Sequence, residues 1–152
     1  MKNLSDNEVK ELSKEINSFE SEKAMSLFIE KNISHFCYHI LGDNYISHNK
    51  EYKPIKTKKF IKDVPNIRID FLIECENKSY CVELKNPSNV FSELSRVVSQ
   101  LMVYDIFLND KDIEFVIVTS KHHEIIPMMI KKFNLKFRYI VLNKVFCAEM
   151  VG

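Results

Sequence analysis

Apolar residues recur at helical spacing in some stretches of the chain and crowd into short dense runs in others, a contrast that predicts alternating helices and strands. Residues 6–17 form a short polar helix with Val9, Leu12 and Ile16 on one side. Residues 19–41 form a stronger one, striped by Ala24, Leu27, Phe28, Ile33, Phe36, Cys37 and Ile40. Ser21 is placed to cap it, and Gly42 lies just past its end. Residues 45–61 suggest one or two edge strands around Pro54. The runs 67–75 and 78–85, rich in β-branched and aromatic residues, read as a β-hairpin turning at Glu76-Asn77-Lys78-Ser79. Asn86-Pro87-Ser88-Asn89 breaks the strand and can cap a helix over 90–108. The largely apolar run 113–119 is consistent with a buried strand. A helix over 122–133 follows, with Pro127 inside it to kink it or move its start, and 137–142 is a last strand. This order predicts an α/β fold, a central mixed β-sheet flanked by helices.

At 152 residues the chain suits a single domain. We divide it into an N-terminal helix (1–18), a core (19–119) and a C-terminal helix and strand (120–152). With only two glycines and four prolines, Gly-rich phosphate loops and long linkers are not expected. No apolar run approaches the roughly 20 residues that span a bilayer, and residues 1–10 have no apolar signal region. A soluble, cytoplasmic protein is expected. Cys37, Cys75, Cys81 and Cys147 are scattered without a CxxC pair, which fits reduced thiols better than a disulfide framework, a zinc site or an iron–sulfur cluster.

The formal net charge is +1, so charge distribution says more than the total. Residues 50–62 carry six lysines against one acid, interleaved with Tyr52 and Phe60. Such a run suits a polyanion backbone, although a lysine-rich solvated loop has the same composition. Lys53, Lys56, Lys58, Lys59 and Lys62, with Arg96 further on, are the candidate nucleic-acid contacts. Lys131, Lys132, Lys136 and Arg138 form a second basic cluster that would extend such a face.

The chemistry concentrates in the hairpin. Glu83 and Lys85 lie two apart on its second strand, so they share a face, and charges ending an apolar strand need partners. With the turn centred on Asn77 and Lys78, Leu72 faces Glu83 and Asp70 faces Lys85. Asp70 then shares that face, opposite the lysine and diagonal to the glutamate. Two carboxylates at that spacing can hold one hard cation through oxygen, with the Leu84 carbonyl as a further donor. A surface Asp70–Lys85 ion pair on an ordinary hairpin is the plain alternative. A one-residue slip would put Asp70 on the wrong face.

On the helix after the strand, Gln100 and Tyr104 lie one turn apart, within Gln100-Leu101-Met102-Val103-Tyr104. Glu22 stands near the start of the first long helix, with Glu30 as an alternate acid. Taken in order, the acidic helix, Asp70, Glu83-x-Lys85 and QxxxY resemble the PD-(D/E)xK nuclease superfamily over roughly residues 20–108. The QxxxY element looks like its RecB-like and archaeal mismatch-nuclease branches. The resemblance implies a restriction-endonuclease-like core, with Asp70, Glu83 and Glu22 as ligands of Mg2+ or Mn2+. It implies Lys85 as the catalytic lysine, and Gln100 and Tyr104 as support for the site or contacts to the nucleic-acid backbone. Two departures stand out: Ile69, not proline, precedes Asp70, and the cysteine set of cluster-bearing relatives is absent.

The reading is a metal-dependent deoxyribonuclease, endonuclease rather than exonuclease, acting on DNA, with RNA left open as a substrate and a homodimer as one way to cut both strands. The alternatives are a non-catalytic module binding nucleic acid or protein on the same fold, and an RNA endonuclease. An upstream histidine at the metal would favour the last, in the manner of viral cap-snatching enzymes, but His35, His39 and His48 read as helix-packed or solvent-facing. Lys121, His122, His123 and Glu124 read as plain surface.

Overall fold

In the computed structural model, which describes residues 19, 21–52, 68–85, 91–108 and 112–142, the chain enters its first helix at Ser21. The Ser21 hydroxyl accepts the Ala24 N–H at 3.0 Å, the cap that opens α1 (Glu22–Lys31). The predicted single helix over 19–41 is instead broken at Asn32. That residue leaves helical geometry and turns its side-chain amide back onto the Phe28 carbonyl at 3.0 Å. Side chains of this kind compete with the backbone for helix hydrogen bonds. A short α2 (Ile33–Phe36) and a π-helical turn (Cys37–Leu41) complete the segment. Gly42 ends it in the left-handed region at φ 74°.

Five strands follow: β1 (Tyr45–Tyr52), β2 (Ile69–Cys75), β3 (Ser79–Lys85), β4 (Ile113–Thr119) and β5 (Phe137–Val141). They form one sheet in the order β1-β2-β3-β4-β5. The first three pair antiparallel and the last three parallel, so the sheet is mixed. Helix α3 (Phe91–Leu108) makes the crossover between β3 and β4, and α4 (Ile125–Lys132) the one between β4 and β5. Helix α4 starts later than the 122–133 prediction. Pro127 then falls in its first turn, where the missing N–H has no helical partner to lose. The predicted helix over 6–17 and the region around Pro54 lie outside the described residues. No helix among the described residues is long and apolar enough to cross a membrane.

Helices cover both faces of the sheet. On one face, Met25, Ile29, Phe36 and Cys37 pack on Phe71, Ile73, Val82, Leu84, Val116 and Val118. On the other, Val97, Leu101, Tyr104 and Ile126 pack on Ile69, Cys81, Phe115 and Ile117. The apolar run Phe115–Val118 of β4 is thereby explained: alternate residues enter opposite cores. Cys37, Cys75 and Cys81 are buried free thiols.

The hairpin register differs from the one predicted. Phe71 pairs with Val82, Leu72 with Cys81, Ile73 with Tyr80 and Glu74 with Ser79. The Cys75 N–H bonds the Lys78 carbonyl at 3.0 Å, so the turn is centred one residue earlier, on Glu76 and Asn77. The cause lies far away in sequence. Asp43, 3% exposed, accepts the Asn77 N–H at 3.2 Å, the Asn77 side-chain amide at 3.1 Å and the Tyr80 hydroxyl at 3.0 Å. Every β2 residue therefore faces a β3 partner two positions earlier than predicted. A shift of two preserves the face of each side chain.

Burial raises the Asp43 carboxyl, but the hydrogen bonds from Asn44, Asn77 and Tyr80 outweigh it and hold the group below the usual carboxylate range. A depressed carboxyl contributes stability above its unfolded pKa and loses it as pH falls through the lowered value. Asp43→Asn is expected to melt lower than the parent at pH 7 and to show a flatter decline in acid, read by thermal unfolding from pH 7 to pH 2. Parallel curves for the two proteins would contradict this role.

Candidate active site

Continued one step past its last pair, the corrected register sets Asp70 across from Glu83, with Lys85 on the diagonal, in place of the predicted Asp70–Lys85 facing. The β2–β3 ladder stops at Phe71–Val82. Pairing at the next hydrogen-bonded rung would give the Leu84 N–H to the backbone of Ile69. It goes instead to the Asp70 carboxylate, whose Oδ2 accepts it at 2.8 Å. In an extended strand a residue's N–H and C=O point the same way, so the Leu84 carbonyl faces the same gap. On its other edge β3 stays paired with β4, and Lys85 stands beside Thr119.

At the candidate site the Asp70 side chain thus takes the place of a backbone rung between the two strands, beside Glu83. Glu83 is 4% exposed, and its Oε2 is buried without a hydrogen-bond partner. Burial pushes the Asp70 carboxyl above its ordinary value, and the Glu22 charge pushes the same way. The bond from the Leu84 backbone, the Lys85 charge and a side-chain hydrogen bond with Glu83 oppose this without reversing it. Glu83 is pushed up further, by burial first and then by the Asp70 charge, against the pull of Lys85. Half-buried Asp70 and buried Glu83 thus both favour the protonated form more than a free carboxyl does.

The surroundings come from α1 and α3. Glu22, in the first turn of α1, adds negative potential at both acids. Glu30 is engaged elsewhere, 2.9 Å from the Lys50 ammonium, so Glu22 is the helix acid directed at the site. Tyr104 is buried and donates its hydroxyl to the Arg68 carbonyl at 3.1 Å, just ahead of β2. Burial, followed by the Glu83 charge, raises its pKa, so it remains a donor. Gln100, one turn earlier on α3, has a buried Oε1 without a partner. The donors on offer are oxygens, which suit a hard cation. Among the described residues no three His, Cys, Asp or Glu side chains gather into a metal cage. Mg2+ needs none, since it commonly takes one or two carboxylates and fills the remaining positions with water and phosphate.

No protein-family model matches the chain, and no curated protein matches it. Among solved structures the chain is similar to the crystal structure of a repair endonuclease from Pyrococcus abyssi. The TM-score is 0.36 and the identity 16%, over 74% of this chain and 46% of that one. The chain thus spans less than half of that protein's length. A likeness this distant assigns neither residue nor activity.

Several of the other candidates are engaged with other partners. His48 bonds Tyr45 at 2.6 Å, and His35 stacks on His39 with ring centroids 6.0 Å apart. His122 packs edge-on against Tyr139. Arg138 is removed from the second basic cluster, because it pairs with Glu114 at 2.6 Å and donates to the carbonyls of Ile40 and Leu41. Lys131, Lys132 and Lys136 remain exposed, as does Arg96 on α3. Lys53, Lys56, Lys58, Lys59 and Lys62 lie outside the described residues. Asp43 and Arg68 were invisible to sequence reading, because each acts through a contact with a distant segment.

The raised carboxyls set the sign of a stability effect. A folded state that holds its protons more tightly than the unfolded chain loses stability as pH rises from the ordinary carboxylate range through the raised values. In EDTA, Glu83→Gln is therefore expected to exceed the parent in stability at pH 8, by on the order of 1–2 kcal/mol. The advantage should shrink towards pH 4. Urea unfolding across that range checks it, and a variant less stable at pH 8 than at pH 4, relative to the parent, would refute the electrostatic account.

Proposed function

We propose that this protein is a nuclease that hydrolyses phosphodiester bonds of DNA with the aid of Mg2+ or Mn2+, cutting internally. The observation that carries the proposal is the pair of half-buried Asp70 and buried Glu83 where the hairpin ladder ends, with an unpartnered Glu83 oxygen and Lys85 two residues along the same strand. A purely structural hairpin has no use for two adjacent acids, one half-buried and one buried, since withdrawing them from water lowers stability. A binding-only module has no more use for them.

Asp70, Glu83 and the Leu84 carbonyl would hold the cation, with Glu22 reaching it directly or through water. A divalent ion bound there polarises the scissile phosphate and lowers the pKa of water. Lys85 would orient or deprotonate the attacking water, or neutralise charge as the phosphorus becomes five-coordinate. Gln100 would meet the substrate backbone or the water. Tyr104 acts from behind, through the Arg68 carbonyl. The Lys53–Lys62 run and Arg96 would track the phosphates outside the site. No histidine among the described residues shares the site, so the feature that would favour RNA is not found at the carboxylates. Two copies would supply two centres for the two strands of a duplex.

The test is incubation with linear, circular, single-stranded and branched DNA, and with RNA, in Mg2+, Mn2+ or EDTA. Asp70→Ala and Lys85→Ala should each lower the cleavage rate by on the order of 10²–10⁴-fold. EDTA should abolish cleavage. Variants as active as the parent, or cleavage indifferent to EDTA, would reject the mechanism.

A further inference from the structure

Inward and outward positions exchange on two neighbouring strands at one rung. On β2, Phe71, Ile73 and Cys75 point into the core beneath α1, yet Ile69, which alternation would place with them, packs in the core beneath α3. On β1, Lys50 reaches Glu30 on α1, yet Tyr52 packs beneath α3. Lys50 pairs with Phe71 and Tyr52 with Ile69, while the rung between them, Glu51 and Asp70, is unpaired. The pairing count is the same on both sides, so no residue is inserted there. The twist is supplied by Glu51, whose φ of 55° lies in the left-handed region. That region is unusual for a residue other than glycine, asparagine or aspartate.

We infer that Glu51 is a positioning residue: its left-handed backbone turns the start of β2 towards α3 and so swings the Asp70 carboxylate out of the strand's face pattern into the opening beside β3. The same turn is held from the other side, where the Tyr104 hydroxyl grips the Arg68 carbonyl at 3.1 Å. The Glu51 side chain contributes little. Its contact with Arg68 is 3.8 Å long and both groups are more than half exposed, which is a weak, screened pairing. The backbone conformation is what matters. Unlike an ordinary exposed edge position, this one is expected to favour residues that tolerate positive φ.

The inference deepens the nuclease reading, because it takes Asp70 as the carboxylate to be placed, and its test separates the two. The variants are Glu51→Gly, Glu51→Asn, Glu51→Ala and Glu51→Val, in order of falling tolerance for the left-handed region. The first measurement is hydrogen exchange of the Leu84 amide, which needs neither metal nor activity, with the Tyr80 and Val82 amides as controls for the intact hairpin. Glu51→Gly and Glu51→Asn should protect Leu84 at least as well as the parent. Glu51→Ala should fall below them, and Glu51→Val should exchange about tenfold faster or more while the controls hold. Should Glu51→Val fail to fold, the ranking of the other three decides. The second measurement is Mn2+ binding by calorimetry, in which affinity should follow the same order. Equal Leu84 protection across the series overturns the inference, as does a loss in Glu51→Gly equal to that in Glu51→Val, which would transfer the effect to the carboxylate. A parent that binds no Mn2+ and cuts nothing overturns the nuclease reading alone, since the Leu84 measurement still decides the placement.

Discussion

The hydrogen bond from the Leu84 N–H to the Asp70 carboxylate is the contact on which the site depends. It replaces a rung of backbone ladder with a side chain, and that substitution opens the sheet. A continuous hairpin would close β2 onto β3 and leave no gap for a ligand. A side chain without the bond would leave the Leu84 amide buried and unpaired, at a cost of about 1–3 kcal/mol. One interaction therefore satisfies the backbone, fixes an acid and keeps the strands apart.

The acids it gathers act against the fold. Burial raises both carboxyls, the Asp70 charge raises Glu83 further, and the Glu22 charge adds to the effect at both. Such a cluster persists only where the surrounding structure over-determines it. Here the support comes from both layers: the core beneath α1 holds Phe71 and Val82, and the core beneath α3 holds Ile69 and Cys81. Parallel pairing with β4 secures the far edge of β3 through Lys85, so the opening on its near edge does not spread.

Much of this was legible in the residues. The strand hairpin, the helix over 90–108, the buried strand at 113–119 and the caps at Ser21 and Gly42 all follow from periodicity and local hydrogen bonding. The common face of Glu83 and Lys85 follows from strand alternation, whereas alternation on β2 breaks at Asp70, so its place beside them was not legible from spacing alone. Gln100 and Tyr104 were identifiable by helical spacing, but what they meet was not. Asn32 ended a helix that its apolar stripe would have continued, because a side-chain amide outbid the pattern locally.

What the sequence by itself determined is the alternation of elements, the burial of β4 and the shared face of Glu83 and Lys85, all consequences of short-range geometry. Only the tertiary structure decided which acid faces which, because Asp43 reaches across from the end of the first helical segment to set the turn at Asn77. Only it showed that Glu30 belongs to Lys50 and Arg138 to Glu114. It also revealed the rung at Glu51 and Asp70 where two strands exchange faces. Each of these rests on contacts between segments far apart in the chain, whose energies no local pattern encodes.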